Sequence, residues 1–177
     1  TNESIAYTMT SMHVPEAGLE RSDVPPAVGG PVEGARDLGG MVPWDTSIVD
    51  GVQLDDTAAG PPALQWWMRT APIGDEPAVH QALLAHATDL TVIGTALRPF
   101  EGVSQAQTTI TLHTAVTSHT LWFHRPFRAD EWLLYHQKSP SAQAARGLAE
   151  GFIYRRDGAL AVTVIQEGLI RPIKRLD

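Results

Sequence analysis

The stretch Asp75-Glu76-Pro77-Ala78-Val79-His80-Gln81-Ala82-Leu83-Leu84-Ala85-His86-Ala87-Thr88-Asp89-Leu90-Thr91-Val92-Ile93-Gly94-Thr95-Ala96-Leu97 is the one long helical pattern in this chain. An acidic pair and a Pro in the first turn mark its start, with Asp75 as the cap candidate and Leu97 as the approximate end, a break being placed near Gly94. Val79, Ala82, Leu83, Leu90 and Ile93 form an apolar stripe, which Leu84, Ala85 and Ala87 widen around most of the circumference. A helix apolar over so much of its surface belongs inside a fold. Upstream, Ala63–Thr70 alternates as a strand, with Leu64, Trp66 and Met68 on one face and Gln65, Trp67 and Arg69 on the other. Downstream, four strand-like segments follow at about 108–123, 131–137, 146–155 and 160–171, and Asp157-Gly158 is a hairpin turn between the last two. Strand, buried helix, then an antiparallel meander predicts an α+β fold in which a sheet wraps a central helix.

Composition narrows the function. The 177 residues carry 43% hydrophobic and 19% charged side chains, as a globular domain with a real core does. Twenty acidic against 13 basic residues give a net charge of -7, which repels a phosphate backbone and argues against nucleic acid as a partner. The absence of cysteine excludes disulfides, a thiol nucleophile and thiolate metal sites. No run approaches the ~18 apolar residues of a membrane span, and the first residues lack the basic and apolar regions of a signal peptide. These features fit a soluble, cytoplasmic protein.

The chain divides by pattern. Ile5–Val14 alternates as a strand and ends at Pro15-Glu16-Ala17-Gly18. Residues 20–43 are crowded with Pro and Gly (Pro25-Pro26, Gly29-Gly30-Pro31, Gly39-Gly40) and read as an extended or irregular linker. A short strand is expected within 47–54.

One run stands apart from ordinary strand sequence: His119-Thr120-Leu121-Trp122-Phe123-His124-Arg125-Pro126-Phe127, followed by Glu131-Trp132-Leu133-Leu134-Tyr135 and closed by Val164-Ile165-Gln166-Glu167-Gly168. With His80-Gln81-Ala82-Leu83-Leu84 and Ala87-Thr88-Asp89-Leu90, it resembles the C-terminal repeat of the acyl-CoA thioesterase II family, collinearly from about Trp66 to Arg171. That resemblance implies a hotdog fold within residues 44–177 and hydrolysis of acyl-CoA to free fatty acid and CoA, with no cofactor. It also implies that residues 1–19 are the last strand of a first repeat. The rest of that repeat would come from a separate or cleaved chain, and association into a homo-oligomer is expected as well, because a single hotdog exposes a sheet edge.

The same resemblance assigns roles. Asp89 lies on a helix expected to be buried, where a carboxylate is costly unless it is hydrogen-bonded or has chemistry to do. It matches the family aspartate that polarises the hydrolytic water, and Gln166, among core valines, matches the glutamine that helps hold it. The family's third partner, a Thr or Ser six residues before the Trp of Trp-Phe-His-Arg, falls on Val116, which has no hydroxyl. Strict alternation puts Val116, Ser118 and Thr120 on one face and Thr117 and His119 on the other, which makes Ser118 the candidate replacement; Thr117 serves only through a bulge. Arg125 and Arg146 are candidates for the CoA phosphates, with surface ion pairs as the plain alternative. The spacing of His119, His124 and His136 fits no metal motif, and Ser139-Pro140-Ser141 lacks the glycines of a hydrolase elbow. A second functional reading stays open: a hotdog half disabled by Val116 that binds acyl-CoA or completes a sheet.

Overall fold

The computed structural model describes residues 9–10, 18–19, 21–38, 43–108 and 110–173. The strand expected at 5–14 and its turn at 15–18 lie outside these apart from positions 9, 10 and 18, which carry no regular structure. Six antiparallel strands form one sheet: β1 (Asp45–Ile48), β2 (Ala63–Arg69), β3 (Leu112–Phe123), β4 (Leu133–Gln143), β5 (Arg146–Arg155) and β6 (Leu160–Pro172), ordered β1-β2-β4-β5-β6-β3. The sheet curls around two helices, α1 (Pro77–Asp89) and α2 (Val92–Leu97). This is the hotdog arrangement that the sequence predicts.

The helical stretch breaks earlier than expected. Leu90 and Thr91 interrupt it, and Gln105 donates through Nε2 to the Leu90 carbonyl at 2.8 Å, replacing a helical bond lost at the break. The Gln105 side chain runs across Gly94, where any Cβ would collide with it, so this glycine is set by a close approach rather than by the break. The buried face of α1 is also rotated from the expected stripe: His80, Leu84, Ala87 and Thr88 are buried, whereas Val79 is 45% exposed. Pro77 does open the helix, but Asp75 does not cap it. Its carboxylate instead accepts from Arg128 at 2.6 Å.

On the inner face of the sheet, Leu64, Trp66, Met68, Leu133, Tyr135, Ile153, Val162 and Val164 pack against Leu84, Ala87 and Val92 of the helices. This is the alternation expected for β2 and β6. On the outer face a second apolar cluster forms from Trp67, Trp132, Leu134 and Tyr154. Residues 21–38 of the Pro/Gly-rich segment form no helix or strand, but they are strapped down over this cluster. Val28 packs against it, the Trp67 indole donates to the Gly29 carbonyl (2.8 Å), and the Trp132 indole donates to Glu33 (2.9 Å). Arg69 pairs with Glu33 and Asp45 while lying over the Trp132 ring. Indole N–H groups on an otherwise apolar face need acceptors, and the linker supplies them.

Several strand boundaries differ from expectation. The short strand expected within 47–54 is β1 at Asp45–Ile48, and a 3-10 turn over Val49–Gly51 ends it. β4 continues past Gln137 to Gln143, because Pro140 sits in a register shift between Lys138 and Ser141 that spares it a ladder bond. β3 starts only at Leu112, since residues 105–107 form a 3-10 turn closed by a Ser104–Gln107 capping box.

Candidate active site

The C-terminal end of α1 meets the β6–β3 edge of the sheet. Along β6 the inner face reads Val162, Val164, Gln166, Gly168, all buried. Gly168 has no room for a side chain, because a Cβ there would drive into Ile93 of α2. The absent side chain lets the helical layer come down onto the strand next to Gln166. Asp89 ends α1 above it, and the Gln166 Nε2 donates a hydrogen bond to Asp89 Oδ1. Gln166 is fully buried, and its Oε1 has no protein donor among the described residues. The Asp89 side chain remains 44% exposed.

β3 completes the group, but not as strict alternation predicts. Val116 stands opposite Gly168 and Ser118 opposite Glu167, with a register shift between them: Thr117 is the extra residue of a bulge. The phase therefore changes at Thr117. Val116 is on the inner face, Thr117 turns its hydroxyl to Glu167 (3.0 Å to the carbonyl, 2.9 Å to the carboxylate), and Ser118 shares the outer face with Glu167. The structure does not bring Ser118 to Asp89. His119, opposite Gln166, faces inward in its place, with Nδ1 4.0 Å from Asp89 Oδ1 and Nε2 3.3 Å from Thr88 Oγ1. Burial pushes the His119 pKa below its usual value, and the nearby Asp89 charge opposes this without overcoming it. Beneath Thr88, the fully buried Tyr135 donates its phenolic hydrogen to the Thr88 carbonyl at 3.2 Å, and burial raises its pKa well above the usual value.

Asp89 and Val116 sit on the wall of a cavity of about 890 Å³. Leu90, Ile93 and Leu97 form one side of it, and Leu38, Ile48, Val52 and Leu54 the other. Its size suits a small-molecule ligand, and Asp37, Gln53, Asp55 and Gln105 share its wall with the apolar residues. Over a third of this wall comes from the linker and from the turn after β1, where sequence patterning shows no site. An apolar residue in an irregular stretch has no periodicity to reveal what it faces.

The two arginines are not brought together. Arg125 donates to the Leu160 carbonyl at one end of β6, while Arg146 opens β5 opposite Leu169 near the other end. Leu160 and Leu169 are roughly nine strand residues, or about 30 Å, apart. Leu169 alternates with the inward Gly168, which places Arg146 on the outer face. The pair cannot clamp one diphosphate. Among the described residues no group of three or more His, Asp or Glu has the geometry to hold a metal ion, and no helix is long and apolar enough to cross a membrane.

A model of the acyl-CoA thioesterase family matches residues 50–169, which include Asp89, the β3 bulge and Gln166. The chain belongs to the acyl-CoA thioesterase family. It is 37% identical to acyl-coenzyme A thioesterase 8 of Rattus norvegicus over 76% of this chain and 41% of that protein. It is 32% identical to acyl-CoA thioesterase 2 of Haemophilus influenzae over 95% of this chain and 64% of the relative. Among solved structures, an acyl-CoA thioesterase II from Mycobacterium marinum superposes with a TM-score of 0.71 at 36% identity, covering 90% of this chain and 60% of that one. The chain thus spans about two fifths to two thirds of the length of these family members.

Proposed function

We propose that this chain carries the hydrolytic centre of an acyl-CoA thioesterase, with Asp89 and Gln166 holding the water that attacks the thioester carbonyl. The observation that carries this reading is Asp89 on the wall of a cavity, with its carboxylate held from behind by Gln166. A carboxylate is an acceptor only, so it draws on a water hydrogen and turns an oxygen lone pair outward. The amide fixes the carboxylate, and a fixed water reacts far faster than a diffusing one. The acyl chain lies in the cavity, and the CoA sulfur leaves toward the open side of Asp89. Contact with a CoA phosphate then falls to Arg125 or to Arg146 singly. Release of free thiol from acyl-CoA by the full-length protein is the direct test, and binding without release would support the rival reading of a disabled, acyl-CoA-binding half.

Val116 bears on that rival. It is 41% exposed on the cavity side, where the family resemblance expects a hydroxyl. Val116→Thr is nearly isosteric and adds a donor and acceptor at this position. Turnover is expected to rise several-fold. Ser118→Ala, on the outer face beside Glu167, is expected to leave turnover as it was. Parallel assays of both variants decide it, and damage from Ser118→Ala would return the hydroxyl role to Ser118.

The proposal extends to assembly. β3 pairs only with β6, so its other edge has no strand partner among the described residues, and Trp122 on it is 45% exposed. An unpaired twelve-residue edge is a template for another strand, supplied by a second hotdog unit or by another copy. Light scattering that finds a stable 19.2 kDa species at micromolar concentration would count against this.

A further inference from the structure

The contacts of Thr88 point to one tautomer of His119. The Thr88 hydroxyl donates to the Ala85 carbonyl at 3.1 Å, as helix hydroxyls do. Its only proton is thereby used, and the Thr88 oxygen can only accept from His119 Nε2 at 3.3 Å. With the Thr88 proton so placed, Nε2 carries the hydrogen of the neutral ring and Nδ1 presents a lone pair. That lone pair lies 4.0 Å from Asp89 Oδ1, the oxygen already engaged by Gln166. Two acceptors at this separation gain nothing from each other, but a water molecule that touches both satisfies both.

We propose that His119, through Nδ1, is the proton acceptor for the hydrolytic water and takes the place of the hydroxyl that Val116 lacks. The inference rests on the Asp89–Gln166 reading above. As the water oxygen bonds to the thioester carbonyl carbon, one water proton passes to Nδ1 and the carbonyl becomes an oxyanion. Asp89, a negative charge beside the ring, stabilises the imidazolium so formed. On collapse the C–S bond breaks, and Nδ1 returns the proton to the departing sulfur, giving the carboxylic acid and the CoA thiol. The ring starts the cycle neutral because burial outweighs the pull of Asp89. The Tyr135 phenol on the Thr88 carbonyl stays protonated, β6 contributes the uncharged Gln166, and Asp37 and Asp55 stand on the wall of the same cavity as Asp89. Acid protonates Nδ1 and removes the acceptor, so activity is lost as pH falls through the lowered His119 pKa.

The test pairs kinetics with spectroscopy on the full-length protein. His119→Asn keeps an acceptor oxygen near Nδ1 but no base, and His119→Gln keeps a polar group toward Thr88. Both should fold, lower kcat by a factor on the order of ten or more, and abolish the acid limb of the kcat/KM profile. Nitrogen-correlated NMR of the parent ring should show protonated Nε2 and bare Nδ1 at neutral pH. Retained kcat with an unchanged acid limb, or a ring protonated at Nδ1 at neutral pH, overturns the proposal. If Asp89→Asn is inactive while the His119 variants are normal, this inference alone fails. If Asp89→Asn is fully active, or the parent releases no thiol, the underlying reading fails and this inference falls with it.

Discussion

Asp89→Asn is expected to reduce acyl-CoA hydrolysis by a factor on the order of one hundred or more while the protein stays folded. The amide matches the carboxylate in shape, and its oxygen can still accept from Gln166 Nε2, so the contact between α1 and β6 survives. Three things are lost: the negative charge, the second strong acceptor and the field that favours a cation at His119. The side chain is 44% exposed, so removing its charge does not strand a buried partner. Melting temperature should accordingly change little. Thiol release from a long-chain acyl-CoA, measured beside a thermal melt, separates the two effects. Parent-like turnover would take Asp89 out of the reaction.

Gly151→Ala is expected to be the most damaging small substitution for stability. Gly151 lies on β5 opposite Gln137 of β4 and Val164 of β6, on the inner face. A Cβ there would be forced into the Tyr135 ring, with the phenolic oxygen only 2.7 Å away. The ring has nowhere to go: it is fully buried, tilted against Trp66 at 5.7 Å between centroids, and tied by its hydroxyl to Thr88. Overpacking of a rigid site costs about 1–3 kcal/mol. At about 2–4 °C per kcal/mol for a chain of this size, the melting temperature should fall by several degrees. Displacement of Tyr135 should also shift Thr88, and with it the support of His119. A melt indistinguishable from the parent's would mean that the strand yields and the ring is not the constraint.

Much of this fold is legible in the sequence because its strands obey a period of two over long runs. Leu64, Trp66 and Met68, and separately Val162, Val164 and Gln166, needed only alternation to be placed on the inner face. Asp89 and Gln166 are readable as a pair only through family resemblance, since their separation of 77 positions carries no local signal. What alternation misplaces is everything beyond a defect. One extra residue at Thr117 reverses the phase of β3, sends Ser118 outward and turns His119 in. Val79 fails for a related reason: α1 has apolar residues around most of its surface, so composition gives its burial without its rotation. Leu38 and Leu54 line the cavity from irregular backbone, where no period exists to read.

The strap of residues 28–38 touches both sides of the sheet. Its first part holds two tryptophans on the outer face through Gly29 and Glu33, while Leu38 at its far end is buried in the inner core and forms part of the cavity wall. The passage between them is secured at β1, where Thr46 bonds Ala35, Asp37 and Leu38, and Asp37 takes the Ile48 amide. These bonds lie at the end of the sheet, where Thr46 and Leu38 are buried and the Asp37–Ile48 bond is near solvent. The cavity wall at Leu38 is therefore tied through β1 to the segment that covers the outer-face tryptophans. Changes in strap length alter the volume beside Asp89 at small entropic cost, leaving the strands that carry Gln166 and His119 untouched.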